Sequence, residues 1–178
     1  MASVVFLRAI NVGGGNLCKP AQLAKSLSKF DLVNIGAVGT FVVRTRVSDS
    51  TLREALATRL ARDYRIKCEI MIVSGREVLT LSEKSPFARQ PSGENITRFV
   101  SALHKRPAKV PPLPLNLPSE KDWLLRIVAI SNRFVVGIYR RDMKAIGYLG
   151  KIEKILGVPG TVRSWNTIEK VVKILKAK

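Results

Sequence analysis

Histidine is almost absent from this sequence: His104 stands alone among 178 residues, beside Lys105 and Arg106. One imidazole excludes a histidine-rich metal centre and weakens any Ser–His or Cys–His nucleophile. Cysteine is nearly as scarce. Cys18 and Cys68 have no C-x-x-C spacing, so they make neither a disulfide framework nor a thiolate cluster, and they fit a reducing compartment. Acidic residues number only 13. The sequence shows no obvious closely spaced pair in an apolar setting, as general acid–base hydrolysis would need, and Glu120 and Asp122 sit in a charged segment, which leaves only a pair assembled by the fold. No run approaches the roughly 18 apolar residues of a membrane span. The Val4–Leu7 run lacks the basic flank and length of a signal peptide. Neither G-x-G-x-x-G nor a Gly-Lys-Ser/Thr loop occurs. We therefore expect a cytoplasmic chain that leans away from catalysis, with no metal, no cofactor and no catalytic residue to name.

Against these absences stand 31 lysines and arginines, giving a net charge of +18 and a pI near 10.6. The surplus is spread along the chain: residues 1–90 hold 14 basic and 7 acidic side chains, and residues 91–178 hold 17 and 6. Such a field draws in polyanions and raises encounter rates; it says nothing of fold. With 46% hydrophobic residues, the chain has material for a packed interior.

Patterning predicts an α+β protein of two tandem α/β subdomains. In residues 1–90, Val4–Ile10 reads as a strand running into Asn11-Val12-Gly13-Gly14-Gly15-Asn16. Pro20 opens a helix with Leu23, Leu27 and Phe30 on one stripe. Two short strands, Val33–Ala37 and Thr40–Thr45, follow around Gly39. A helix with Leu52, Leu56, Leu60 and Tyr64 then leads to a strand at Cys68–Val73. The order β-α-β-β-α-β predicts a ferredoxin-like plait, an antiparallel sheet with helices on one face. A short helix over Arg76–Ser85 ends this half.

Residues 91–178 are less regular. Strands are expected at Ile96–Leu103, Leu124–Ile130 and Arg133–Tyr139, and short helices at Lys151–Leu156 and Thr167–Lys176. The proline-rich stretch 105–118 reads as an extended connection. No clean sequence repeat links the halves.

Two segments resemble the domain-of-unknown-function 1697 family of bacterial proteins. Phe6-Leu7-Arg8-Ala9-Ile10-Asn11-Val12-Gly13-Gly14, followed by Lys19, is similar to its opening L-L-R-G-I-N-V-G-G pattern. Leu156-Gly157-Val158-Pro159-Gly160-Thr161-Val162-Arg163-Ser164-Trp165-Asn166-Thr167 is similar to its closing L-G-V-P-x-T-x-R-N-W-N-T pattern. The resemblance implies two small α/β subdomains in tandem and brings no activity, substrate or cofactor with it. Where relatives carry a Q-S-G-N-like turn, this chain has Ala37-Val38-Gly39-Thr40.

Several positions are candidates for binding an anion. Gly13 and Gly14, with Arg8, Asn11 and Lys19 nearby, read either as a tight strand-to-helix turn or as a backbone cradle for phosphate or carboxylate. Arg8 reads as a buried or interface arginine, or, with Arg44 and Arg46, as part of a basic sheet surface like that of RNA-recognition domains. Arg163, Trp165 and Asn166 form a second locus, with Trp165 as core anchor or stacking platform and Asn166 or Ser164 as a helix cap. Lys170 and Lys173 line the closing helix as a solvated face or a phosphate-contacting one. The leading expectation is a non-catalytic binding protein for a polyanion such as nucleic acid. Its rivals are an enzyme or sensor holding a small anionic metabolite in an inter-domain pocket, and a homo-oligomer formed through an exposed sheet.

Overall fold

The computed structural model describes residues 2–177. Its elements are β1 (Ser3–Leu7), α1 (Pro20–Ser26), β2 (Leu32–Asn34), β3 (Thr40–Val43), α2 (Asp49–Tyr64), β4 (Ile70–Ser74), α3 (Gly75–Glu83), β5 (Ile96–Leu103), β6 (Leu115–Leu117), β7 (Leu125–Ser131), β8 (Phe134–Arg140), α4 (Met143–Leu156), β9 (Gly160–Ser164) and α5 (Trp165–Lys176). They form two compact units: Met1–Thr80 with Glu169–Lys178, and Leu81–Ile168. The borders fall inside α3 and α5.

In the first unit the four strands pair antiparallel in the order β2-β3-β1-β4. Local chemistry sets the helices. Pro20 opens α1 with its φ already helical. The Ser48 hydroxyl accepts from the Thr51 N–H at 3.1 Å to start α2, which stops where Arg65 turns left-handed. Val5, Leu7, Phe41, Val43 and Ile72 pack against Leu23 of α1 and Leu52, Leu56 and Leu60 of α2. Their alternates Val4, Phe6, Val42 and Val73 are buried as well, so both faces of this sheet are out of water. The register sets Val5 opposite Phe41 and Phe6 opposite Thr40, which puts the two phenylalanines on opposite faces.

The second unit holds five antiparallel strands in the order β6-β7-β8-β5-β9. With β6 set aside, its strands run second, third, first, fourth in chain order, as in the first sheet. The proline-rich segment, with cis bonds at Leu113–Pro114 and Leu117–Pro118, stands where the first sheet has α1, and it supplies the short strand β6. Phe99, Leu125, Ile127 and Val135 bury against Ile152 and Leu156 of α4.

Two endings match. Ser74 closes β4 and accepts from the Glu77 N–H at 3.2 Å, while the Glu77 carboxylate accepts from the Ser74 N–H at 3.0 Å, a reciprocal cap on α3. Ser164 closes β9 and accepts from the Thr167 N–H at 3.4 Å. Ser164 is thus the cap of α5, and Asn166 sits inside the helix. α4 is longer than its expected Lys151–Leu156, because Asp142 caps it upstream by accepting from the Lys144 N–H at 2.7 Å.

Candidate functional site

The opening motif builds a small hairpin. Asn11 N–H donates to the Asn16 carbonyl at 3.2 Å, and Gly15 N–H to that of Val12 at 3.3 Å. Gly13 and Gly14 take φ of 61° and 76° at its tip, the sign that two-residue hairpin turns require and that glycine meets without strain. The glycines are therefore separated from α1 by a returning arm, and α1 has only seven residues. Asn11 is the bracket. Its Nδ2 donates to the carbonyls of Cys18 at 2.9 Å and Ala37 at 2.6 Å, and its Oδ1 accepts from the Cys18 N–H at 2.8 Å. The second of these joins the opening motif to the divergent Ala37–Thr40 turn. Replacing Asn11 with alanine orphans these backbone groups, and we expect a loss of about 1–3 kcal/mol in chemical denaturation; unchanged stability would show the bracket to be idle.

The remaining candidates of this unit scatter. Arg8 is half-buried just beyond β1, with its N–H on the Glu69 carbonyl at 3.0 Å. Lys19 is exposed at the start of α1. Arg44 and Arg46 lie past the end of β3, exposed on the way to α2. They do not stand on a sheet face, and with both faces buried the sheet offers no open stacking platform of the RNA-recognition kind. Lys170 and Lys173 are exposed on α5.

Neither thiol is an activated nucleophile. Burial pushes the Cys18 thiol above its ordinary pKa, against an opposing hydrogen bond with Tyr64. Burial does the same to Cys68, against a backbone hydrogen bond from Arg8. At pH 8 both should alkylate more slowly than in the unfolded chain. A rapid burst from the folded protein would contradict this.

The second unit concentrates the basic chemistry. Arg163 on β9 is 6% exposed. Its Nη1 donates to Thr161 Oγ1 at 2.7 Å and the Val162 carbonyl at 2.8 Å. Burial pushes its pKa down to about 10, leaving it a cation at neutral pH. Trp165 is buried, edge-on to Phe87 with ring centres 5.0 Å apart. That contact belongs to an anchor in the core.

Across the sheet face turned from α4 runs a row of direct cross-strand neighbours: Asn116, Arg126, Ile138 and Arg98. Arg126 and Arg140 each hold a guanidinium 4.6 Å from the centre of the Trp123 ring, and Arg98 holds one 5.4 Å from that of Phe87. Stacking fixes the plane of a guanidinium and leaves its edge N–H groups to grip a phosphate. One donor of Arg126 is spent on Asn116, at 2.7 Å. Beside this row, where β5 begins and β8 and β9 end, Arg98, Arg141, Ser92, Thr97, Ser164 and Asn166 line a cleft of about 240 Å³. Among the described residues, no carboxylate pairs with Arg98, Arg126, Arg140 or Arg141.

Of the anion-binding candidates expected from sequence, Asn166 lines this cleft, beside Ser164, which was expected as a helix cap. Arg98, Arg126, Arg140, Arg141 and Trp123 were not foreseen. Their signal was weak but present: a single arginine within each of the largely apolar strands β5 and β7, and a double arginine at the end of β8 and just after it. Among the described residues no group of His, Cys, Asp and Glu could hold a metal ion, and no helix is long and apolar enough to cross a membrane.

Among the described residues, five α-helices and two antiparallel sheets define a mixed α/β protein. More particularly, the chain belongs to the family described as protein of unknown function (DUF1697), whose model matches residues 1–120. That span includes the opening motif; the closing motif at Leu156–Thr167 lies beyond it. Among solved structures the chain is similar to the conserved bacterial protein SP0830 from Streptococcus pneumoniae, at 17% identity over 98% of both chains with a TM-score of 0.60, a likeness of fold. No curated protein matches.

Proposed function

We propose that this is a non-catalytic, cytoplasmic binding protein for a polyanion, nucleic acid being the class that fits best, and that contact falls on the arginine face of the second unit. The observation that carries the reading is the set of aromatic-stacked guanidiniums, Arg98, Arg126 and Arg140, none paired with a carboxylate. A guanidinium held on a ring loses less freedom when it grips a phosphate, and it carries no counter-charge to displace. By contrast, Arg59 and Arg62 of α2 share Asp63, at 3.4 and 2.7 Å. Arg44, Arg46, Lys170 and Lys173 add long-range attraction rather than grip.

The architecture we attach to this reading is a tandem of ferredoxin-like halves, residues 1–90 and 91–178. The shared second-third-first-fourth strand order and the matched serine endings of β4 and β9 support it. A homo-oligomer remains a rival that light scattering decides. The decisive test of binding is retention on generic RNA or DNA at low salt, with log affinity falling linearly in log salt by about 0.7–0.9 per phosphate neutralised. Absence of retention at low salt overturns the reading. One observation favours a small anionic metabolite as the second reading: the arginine-lined cleft beside that face.

A further inference from the structure

We infer that the cleft where β5 begins and β8 and β9 end is a binding site for a phosphomonoester. The inference deepens the polyanion reading, because the cleft adjoins the arginine face and shares Arg98 with it. Arg98 comes from β5 and Arg141 is the residue after β8, so two basic residues distant in sequence border one cavity. Backbone bonds fix the rim: Arg141 N–H donates to the Asn95 carbonyl at 2.9 Å, and Ile96 N–H to that of Gly93 at 3.1 Å. The neutral lining is also of the right kind, since Ser92, Thr97, Ser164 and Asn166 are all polar residues.

Charge selects the ligand. Two lining cations and no lining carboxylate match the near-dianion of a phosphomonoester at pH 7 better than the single charge of a diester within a chain. Neither Glu94 nor Asp142 is part of the lining. Size selects too. At about 240 Å³ the cleft falls below the roughly 300–1,000 Å³ of ordinary ligand pockets. It has room for a phosphate with part of one sugar, and the rest of a larger ligand would lie outside its open mouth. The same chemistry has two sources, the phosphorylated end of a polynucleotide and a free sugar phosphate.

The test titrates the full-length protein with ribose 5-phosphate and with single-stranded oligonucleotides ending in 5′-phosphate, 3′-phosphate or hydroxyl. We expect saturable binding of ribose 5-phosphate and about tenfold preference for one phosphorylated end over the hydroxyl end. Arg141→Gln should abolish both, whereas Arg126→Ala should weaken all oligonucleotides alike and keep the end preference. If ribose 5-phosphate fails to bind and every end binds equally, the phosphomonoester site is overturned while the polyanion reading stands. If ribose 5-phosphate binds and no oligonucleotide does, the cleft stands as a metabolite site and the polyanion reading falls. If both probes bind but Arg141→Gln changes neither, the phosphate sits elsewhere and this assignment is wrong.

Discussion

Replacing Arg126 and Arg140 together with alanine is expected to weaken single-stranded RNA binding by roughly 10–100-fold at low salt, from the loss of two charge-assisted contacts. It should also flatten the salt dependence by about 1.4 log units per decade, at about 0.7 per phosphate on a single strand. The informative comparison is Arg59→Ala with Arg62→Ala. That pair removes the same formal charge from +18, but from side chains already sharing Asp63. If attraction were only a matter of net charge, the two double variants would behave alike. Stacked, acid-free guanidiniums on Trp123 should instead make the first pair far more damaging. Equal losses from the two would remove the reason for placing the contact on the second unit. Fluorescence anisotropy over a salt series reads both quantities at once.

The second large effect concerns the platform on which those arginines stand. Gly137 lies in the middle of β8, paired with Phe99 on one side and Ile127 on the other. A Cβ built there would meet the Arg126 carbonyl oxygen at 2.5 Å and the Phe99 ring at 2.6 Å. The ring is buried in the unit's core and the carbonyl is backbone, so neither yields cheaply. Gly137→Ala is therefore expected to cost about 3 kcal/mol, at the upper end for overpacked sites, and to lower Tm by roughly 6–12 °C in a chain of this size. Shrinking the obstructing ring should return part of that loss, so Gly137→Ala with Phe99→Leu should melt above the sum of the single effects. Strict additivity in differential scanning calorimetry would mean that the ring is not what the new methyl meets.

How far the sequence alone reached follows from where its signals are local. β5 lies at Ile96–Leu103 as expected, because an eight-residue run rich in β-branched and apolar side chains has few other uses. The α2 stripe of Leu52, Leu56 and Leu60 is buried as its period requires. α4 was half hidden. Gly147 and Gly150 lie in the part of α4 upstream of Lys151, and nothing lies within 4 Å of a Cβ at either, so they are surface glycines that an amphipathic, capped helix tolerates. β9 lies inside the closing motif, where no strand is expected from sequence; its pairing with β5 is a long-range fact.

The candidate site was less legible than the fold. Asn11 and Trp165 drew notice through the family motifs, but the structure employs Asn11 in bracketing a hairpin and Trp165 in packing on Phe87. The unpaired arginines lie outside those motifs. Arg98 and Arg141 border one cleft only because β5 and β8 pair in a register that sets Ile96 opposite Arg140, and no local pattern encodes that register. Net charge pointed to the sign of the partner. Only the strand pairing showed where guanidiniums gather over aromatic rings with no carboxylate to hold them.

Arginine side-chain NMR tests this placement most directly, by following the Nε–H signals of the intact protein as single-stranded RNA is added at low salt. The account predicts that Arg98, Arg126, Arg140 and Arg141 shift together and saturate together. Saturable shifts confined to Arg44 and Arg46, with those four arginines unmoved, would contradict it.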